Sequence, residues 1–228
     1  MHSSDSAGDE IMECKTNSIR KVGENMSFVG LHNTREGIIG FADSKATLRF
    51  ENGVIGEDVQ RGKITKIFKN DKFIFVTHGH NEIFSEKNRV NIEDYIAEHL
   101  KNGIEYENFF KSLDEAIQND KGDYLDGKYA FIIGSKNKNN KYFLLRCFIE
   151  YDKRIVFSKK EYGKQVFYGG SEFYCHLYNN QTFYNHIEIS KYANMIKNYI
   201  ETIIDAKDVF SEIEYNDVGK PVNVEIFQ

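Results

Sequence analysis

Apolar and polar positions divide the chain sharply near residue 26. Residues 1–25 are polar, hold few large apolar side chains and repeat with a period of neither 2 nor 3.6. Such a segment cannot bury enough surface to offset the entropy lost on ordering, so it is expected to be disordered or loosely attached. From Met26 onward short apolar runs alternate with turn chemistry. Residues 27–32 and 38–42 flank the turn of Asn33-Thr34-Arg35-Glu36-Gly37, which predicts a β-hairpin. A Gly- and charge-rich loop then runs through Gly62. Residues 63–68 alternate with period 2, and after Asn70-Asp71 residues 72–77 form a fuller apolar strand.

A helical period follows. Ile92, Tyr95, Ile96 and Leu100 fall on one face, with Asn91 as a start and Gly103 as a stop. Tyr106, Phe109, Phe110, Leu113 and Ile117 do the same for a second helix ending near Gly122. Strands are expected again over 129–135, 142–151, 155–158 and 165–168, then a helical piece over 172–177. Ser190 is placed as the N-cap of a long amphipathic helix, and 221–227 closes as a strand. Antiparallel blocks separated by helix pairs suggest two sheets packed face to face with helices outside. With no repeat and no composition break, one domain over 26–228 is expected after the extension 1–25.

Composition adds mainly exclusions. Of 228 residues 40% are hydrophobic and 14% aromatic, enough for a sizeable core, and a single Pro with 17 Gly argues against a linker-rich chain. The net charge of −5, with lysines scattered among acids, gives no footprint for nucleic acid. No apolar run approaches the roughly 20 residues of a membrane span, and the acidic start lacks the marks of a signal peptide. Cys14, Cys147 and Cys175 have neither disulfide-scaffold nor zinc-ligand spacing, and reduced thiols suit a cytoplasmic protein. No cofactor or metal is expected.

Three local signatures stand in order along the chain: Gly37 through Asp43 to Thr47, Lys63 through Lys66 to Phe68, and Phe75 through His78 to Gly79. Together they resemble the proteasome β-subunit and its bacterial relatives, the proteasome-type N-terminal-nucleophile hydrolases. The stretch from Gly37 through Asp43-Ser44-Lys45-Ala46-Thr47 is similar to that family's second strand and the turn after it. Lys63-Ile64-Thr65-Lys66-Ile67-Phe68 resembles the strand carrying its active-site lysine. Phe75-Val76-Thr77-His78-Gly79 resembles the next strand and its terminal glycine. Beyond these three, Val218-Gly219-Lys220-Pro221-Val222-Asn223-Val224 resembles the ending of several bacterial members. The resemblance implies an α+β fold, a four-layer αββα sandwich of two antiparallel sheets flanked by helices.

It also implies chemistry. In that family the first residue of the mature chain is the nucleophile, and its own α-amine, with a pKa of about 7.7–8.0, is the base. The family's spacing, counted back from Asp43, lands on Ser27. Asp43 and Lys66 then match the supporting carboxylate and ammonium, and Gly79 the backbone oxyanion donor. Thr47, His78 and Ser171 are the substrate-binding candidates, with Ser171 and Asp217 standing where the family places groups that support the amine. His78 and His80 flank Gly79 and are expected on one face of the strand end as a polar pocket wall.

As written, Ser27 has 26 residues before it and no free amine. Met26 stands where self-processing relatives carry Gly. Translation from Met26 followed by methionine removal would free Ser27, and the codons available to Gly23-Glu24-Asn25 admit a ribosome-binding sequence there. The first reading is therefore a threonine-peptidase-like peptide or amide hydrolase, a homo-oligomer with an unidentified unfoldase partner and without nucleic acid or membrane. Its rivals are a catalytically inactive proteasome-like structural subunit and a single-chain amidase acting on small molecules.

Overall fold

The computed structural model describes residues 27–49, 55–84, 89–119, 128–163, 166–179, 187–209 and 216–228. The expected extension over 1–25 and the helix stop at Gly122 lie outside the described residues. Strands β1 (Phe28–Asn33) and β2 (Ile38–Ala42) form the first hairpin, with Val29 opposite Ala42. Its turn is tied by Thr34, whose Oγ1 accepts the amides of Glu36 and Gly37. The loop expected after Asp43 contains a further short pair, β3 (Thr47–Arg49) and β4 (Ile55–Glu57).

The expected strand over 63–68 is shorter and later. It is β5 (Ile67–Lys69), paired with β6 (Phe73–Gly79) across a turn in which Asn70 Oδ1 accepts the Lys72 and Phe73 amides. Another hairpin, β7 (Glu82–Phe84) with β8 (Arg89–Asn91), has no counterpart in the periodicity reading. Helix α1 (Ile92–His99) follows, then α2 (Tyr106–Gln118), which buries Tyr106, Phe109, Phe110, Leu113 and Ile117 as its spacing requires.

Strands β9 (Lys128–Lys136) and β10 (Tyr142–Glu150) pair along nine residues each, followed by β11 (Val156–Phe157), β12 (Glu161–Tyr162) and β13 (Val166–Gly170). The chain then forms α3 (Glu172–Asn179), α4 (Ile189–Asp208) and β14 (Asn223–Phe227). The N-cap of α4 is Glu188 rather than Ser190, which sits one turn-position inside and donates to the Glu188 carboxylate.

Among the described residues all strand pairing is antiparallel. The four-stranded sheet runs β13-β1-β2-β14, and the six-stranded sheet runs β11-β10-β9-β6-β5 with β12 also on β10. The pairs β3-β4 and β7-β8 stand as separate two-stranded sheets. This corrects the expected four-layer αββα sandwich of two antiparallel sheets. The described residues form four antiparallel sheets and four helices, a sheet-rich arrangement in which that sandwich is not shown. The physical reason is local: segments taken for loops contain β-branched and aromatic residues enough to pair in strands only three residues long.

Three hydrophobic clusters hold the elements. One joins the two larger sheets through Val29, Leu31 and Ile38 on one side and Ile67, Ile74, Val76, Ile132 and Leu144 on the other. A second packs α1 and α2 against the six-stranded sheet around Phe73, Phe75, Phe110 and Phe131. The third packs α3 and α4 against the four-stranded sheet around Phe28, Phe41, Tyr174, Tyr178 and Ile196.

Phe75 is fully buried and its ring centroid lies 5.1–6.3 Å from those of Phe68, Phe73, Phe109, Phe110 and Phe131. Truncation loses both transfer energy and packing around the cavity left behind. Phe75→Ala is expected to cost about 3–5 kcal/mol of unfolding free energy, and Phe75→Leu less than half of that, by urea denaturation.

Candidate functional site

Asp43 follows β2 directly, and the hairpin brings it back beside the start of β1. Its carboxylate is completely buried and accepts four hydrogen bonds from three donors. Oδ1 accepts the Phe28 amide at 2.8 Å, and Oδ2 accepts the Lys45 amide at 3.0 Å. The Lys66 ammonium, 3% exposed, reaches both oxygens at 3.0 Å and spends its remaining proton on the Lys45 carbonyl at 2.9 Å. A buried ion pair is tolerable only when such bonds replace lost hydration, and here every ammonium proton is used. Lys66 is held one residue ahead of β5, where the Thr77 amide also binds its carbonyl.

Ser27 is the residue before Phe28, half-buried, and its backbone is fixed on both sides. The next amide is held by Asp43, and the Ser27 carbonyl accepts the Ser171 amide at 2.6 Å. Gly170, with φ of +109°, lies flat against it, and a Cβ there would sit 1.6 Å from the Ser27 carbonyl oxygen. Only glycine allows that contact. Ser171 Oγ donates to Asp217 Oδ1 at 3.3 Å, and burial pushes the Asp217 carboxyl above the ordinary range, opposed by the Lys207 ammonium. Ser171 and Asp217 therefore meet beside Ser27.

Gly79 ends β6 with φ of +96°, and a Cβ there would meet the Lys128 carbonyl oxygen at 2.4 Å. The left-handed turn breaks strand alternation, which separates the two histidines expected on one face. His78 lies toward the four-stranded sheet, its ring filling the space that a Cβ of Gly169 would need. His80 packs edge-on against Tyr129 in the opposite cluster, centroids 5.0 Å apart. The shared pocket wall is thereby corrected. Among the described residues, no group of His, Cys, Asp and Glu has the arrangement to hold a metal ion.

The His78 Nδ1 is sealed from solvent with no hydrogen-bond partner. Protonating it would bury an unpaired N–H and a charge. Desolvation, with the nearby Arg146 and Lys128 charges, lowers this histidine from 6.5 to about 4. At neutral pH the ring is therefore uncharged, and Nε2 is the ring nitrogen left to make a hydrogen bond. Thr47 starts β3, half-buried, and no hydrogen bond among the described residues joins it to the Asp43–Lys66 pair. Cys175 is half-buried on α3 with its thiol pushed up to about 11 by burial, which disfavours a thiolate nucleophile.

Sequence reasoning missed three participants: the Phe28 amide, Gly170 and Lys45. Gly170 carried a readable signal, the Gly169-Gly170 pair at a strand end, whereas the Phe28 amide carries none. The Lys45 ammonium donates to the Asn216 carbonyl at 2.7 Å and ties the 43–47 turn to the segment holding Asp217. No helix among the described residues is long and apolar enough to cross a membrane.

No profile of a known protein family matches the chain, and no curated protein matches it. Several solved structures are similar, among them two of Anbu. One is the Gly-1 mutant of Anbu from Hyphomicrobium sp. strain MC1, at 12% identity over 89% of this chain and 81% of that one, TM-score 0.47. The other is Anbu, described as an ancestral beta-subunit, from Yersinia bercovieri, at 12% identity over 88% and 81%, TM-score 0.49. A likeness at this level says nothing about activity or residue roles.

The buried pair predicts non-additive mutants. Lys66→Met alone leaves an uncompensated buried carboxylate and should cost about 3–5 kcal/mol in chemical denaturation. The double change Lys66→Met with Asp43→Leu should cost less than the sum of the two single changes.

The buried histidines predict a pH dependence. His32, enclosed between Tyr178 and Tyr192, is lowered by burial to about 3, and His78 to about 4. Above pH 6.5 neither affects stability. Below it the unfolded chain takes up protons that the folded one refuses, so urea midpoints should fall as pH drops from 6.5 toward 4. His78→Asn should make that fall shallower.

Proposed function

We propose that this chain is a proteasome-like amide or peptide hydrolase in which Ser27 is the nucleophile once it is the first residue. The supporting observation is the buried Asp43–Lys66 pair, whose carboxylate also holds the amide immediately after Ser27. A cation held in a dry setting beside that position favours an uncharged amine and a developing alkoxide. The α-amine takes the Ser27 hydroxyl proton as Oγ attacks the substrate carbonyl. The proton passes to the leaving amine as the C–N bond breaks, leaving an ester on Ser27. Water then cleaves the ester and restores the hydroxyl and the free amine. Gly79 supplies the backbone N–H for the oxyanion, and Thr47, His78 and Ser171 meet the substrate.

The domain expected over 26–228 is the working part in this reading, and residues 1–26 are absent from the active form, so that Ser27 comes first. A cytoplasmic homo-oligomer that encloses its sites would fit a peptidase of this kind. The second reading is a non-catalytic proteasome-like subunit. Met26 favours it, because an amide nitrogen at Ser27 cannot act as a base and Met is not the Gly of self-processing relatives.

The test is the intact mass and N-terminal sequence of the native protein, followed by a peptide epoxyketone, which requires both the hydroxyl and the free amine of one residue. The expected result is a chain starting at Ser27 that carries one adduct there, lost in Asp43→Asn. An intact Met1, or an unlabelled chain that starts at Ser27, would favour the non-catalytic subunit.

A further inference from the structure

The corner where the two larger sheets part beside Ser27 is cationic, and the strand registers show how it is built. Val29 on β1, Phe167 on β13, Val76 on β6, Ile132 on β9 and Leu144 on β10 all belong to the cluster between the sheets. Strand alternation then puts Ser27, Gly169, His78, Ala130, Lys128 and Arg146 on the same facing surfaces. His78 pairs with Ala130, and Ala130 with Phe148; the next row is Val76, Ile132 and Arg146. Ala130 contributes only a methyl group between His78 and Arg146, which are diagonal neighbours across β9.

The opposite wall closes the corner. Gly169 rests on the His78 ring, Phe167 lies beneath the Arg146 guanidinium with 5.0 Å from Cζ to the ring centroid, and Gly170 touches the Ser27 carbonyl. Arg146 is exposed, so the corner is reached from solvent. Its guanidinium stacks on an aromatic face, and no carboxylate among the described residues lies within ion-pair distance of it. Lys128 stands over the Phe148 ring and has only a long contact to Glu150 at 3.7 Å. With Nδ1 buried and unpartnered, Nε2 is the His78 ring nitrogen left to bond a ligand on this wall.

We propose that Arg146, Lys128 and the Nε2 of His78 form an anion subsite beside Ser27, so that the preferred substrate is an amide carrying a carboxylate close to the scissile bond. This rests on the reading of Ser27 as nucleophile. A planar guanidinium presents paired donors that match a carboxylate, and the aromatic ring beneath holds it in place without neutralising it. Bound here, the substrate acid supplies the counter-charge that Arg146 lacks among the described residues. An amide with a basic group at that position meets two cations and is disfavoured.

The test uses the native protein and internally quenched peptides in which one glutamate is moved across the positions flanking the central bond, each with a glutamine control. At one position glutamate is expected to raise kcat/KM about tenfold over glutamine, and the ratio should fall toward one in Arg146→Gln. In the unaltered protein the same ratio should shrink as salt rises, which keeps the test intact if the variant fails to fold. Equal cleavage of glutamate and glutamine peptides at every position, or a preference that survives Arg146→Gln, overturns the subsite.

A binding measurement separates the two ideas. With imidazole-labelled protein, the acidic peptide should move the His78 nitrogen resonances and the glutamine peptide should not. That result without any peptide turnover keeps the subsite and sinks the hydrolase. Turnover that depends on Ser27, with no glutamate preference and no His78 response, keeps the hydrolase and sinks the subsite.

Discussion

Everything near Ser27 depends on a carboxylate that has no access to water. Asp43 ties together the first residue of β1, the turn after β2 and the residue before β5, three points far apart along the chain. Without Lys66 that carboxylate would be an unpaired buried charge, and without Asp43 the ammonium would be. The pair therefore specifies how the edge of one sheet meets the other as much as it stabilises either. Core packing supplies the stability, through Phe75 and its neighbours on one side and the Phe28–Tyr178 cluster on the other. The ion pair sets the registration on which any chemistry at residue 27 would depend.

Glycines complete what the ion pair begins. Gly170 and Gly79 both take positive φ, and both have backbone oxygen where a Cβ would go. These two close approaches bring β13 onto Ser27 and turn the chain after β6, so that His78 and His80 part company. The resulting corner has backbone donors, a neutral histidine, and cations on one wall. On the other side lie Asp43, paired with Lys66, and half-buried Asp217, raised and bonded to Ser171. The unequal distribution of charge about residue 27 is the electrostatic signature of this site.

The residues around Ser27 were readable in sequence to an uneven degree. Asp43, Lys66 and Gly79 could be picked out because motif order places them at strand ends, and the structure brings Asp43 and Lys66 into direct contact. The long periodic elements α2, β9 and β10 were legible for the same reason that they are stable, a regular face with large buried side chains. The hairpins β3-β4 and β7-β8 were not, since three-residue strands are too short to show a period. The two-sheet layered fold was overcalled because those pieces were taken as loops. Arg146 reads as an ordinary surface cation until the register sets it opposite Phe167 and across Ala130 from His78. The role of the Phe28 amide has no residue-type signal at all.

The grip on residue 27 has an evolutionary reading. Its carbonyl is held by the Ser171 amide and the following amide by Asp43, with Gly170 packed against the peptide plane. None of these contacts involves the side chain. The scaffold thus treats that position as a socket: serine, threonine or cysteine would be presented along the same backbone path. Reactivity at the socket can drift, be lost or be regained by exchange of one side chain, without the surrounding architecture having to change.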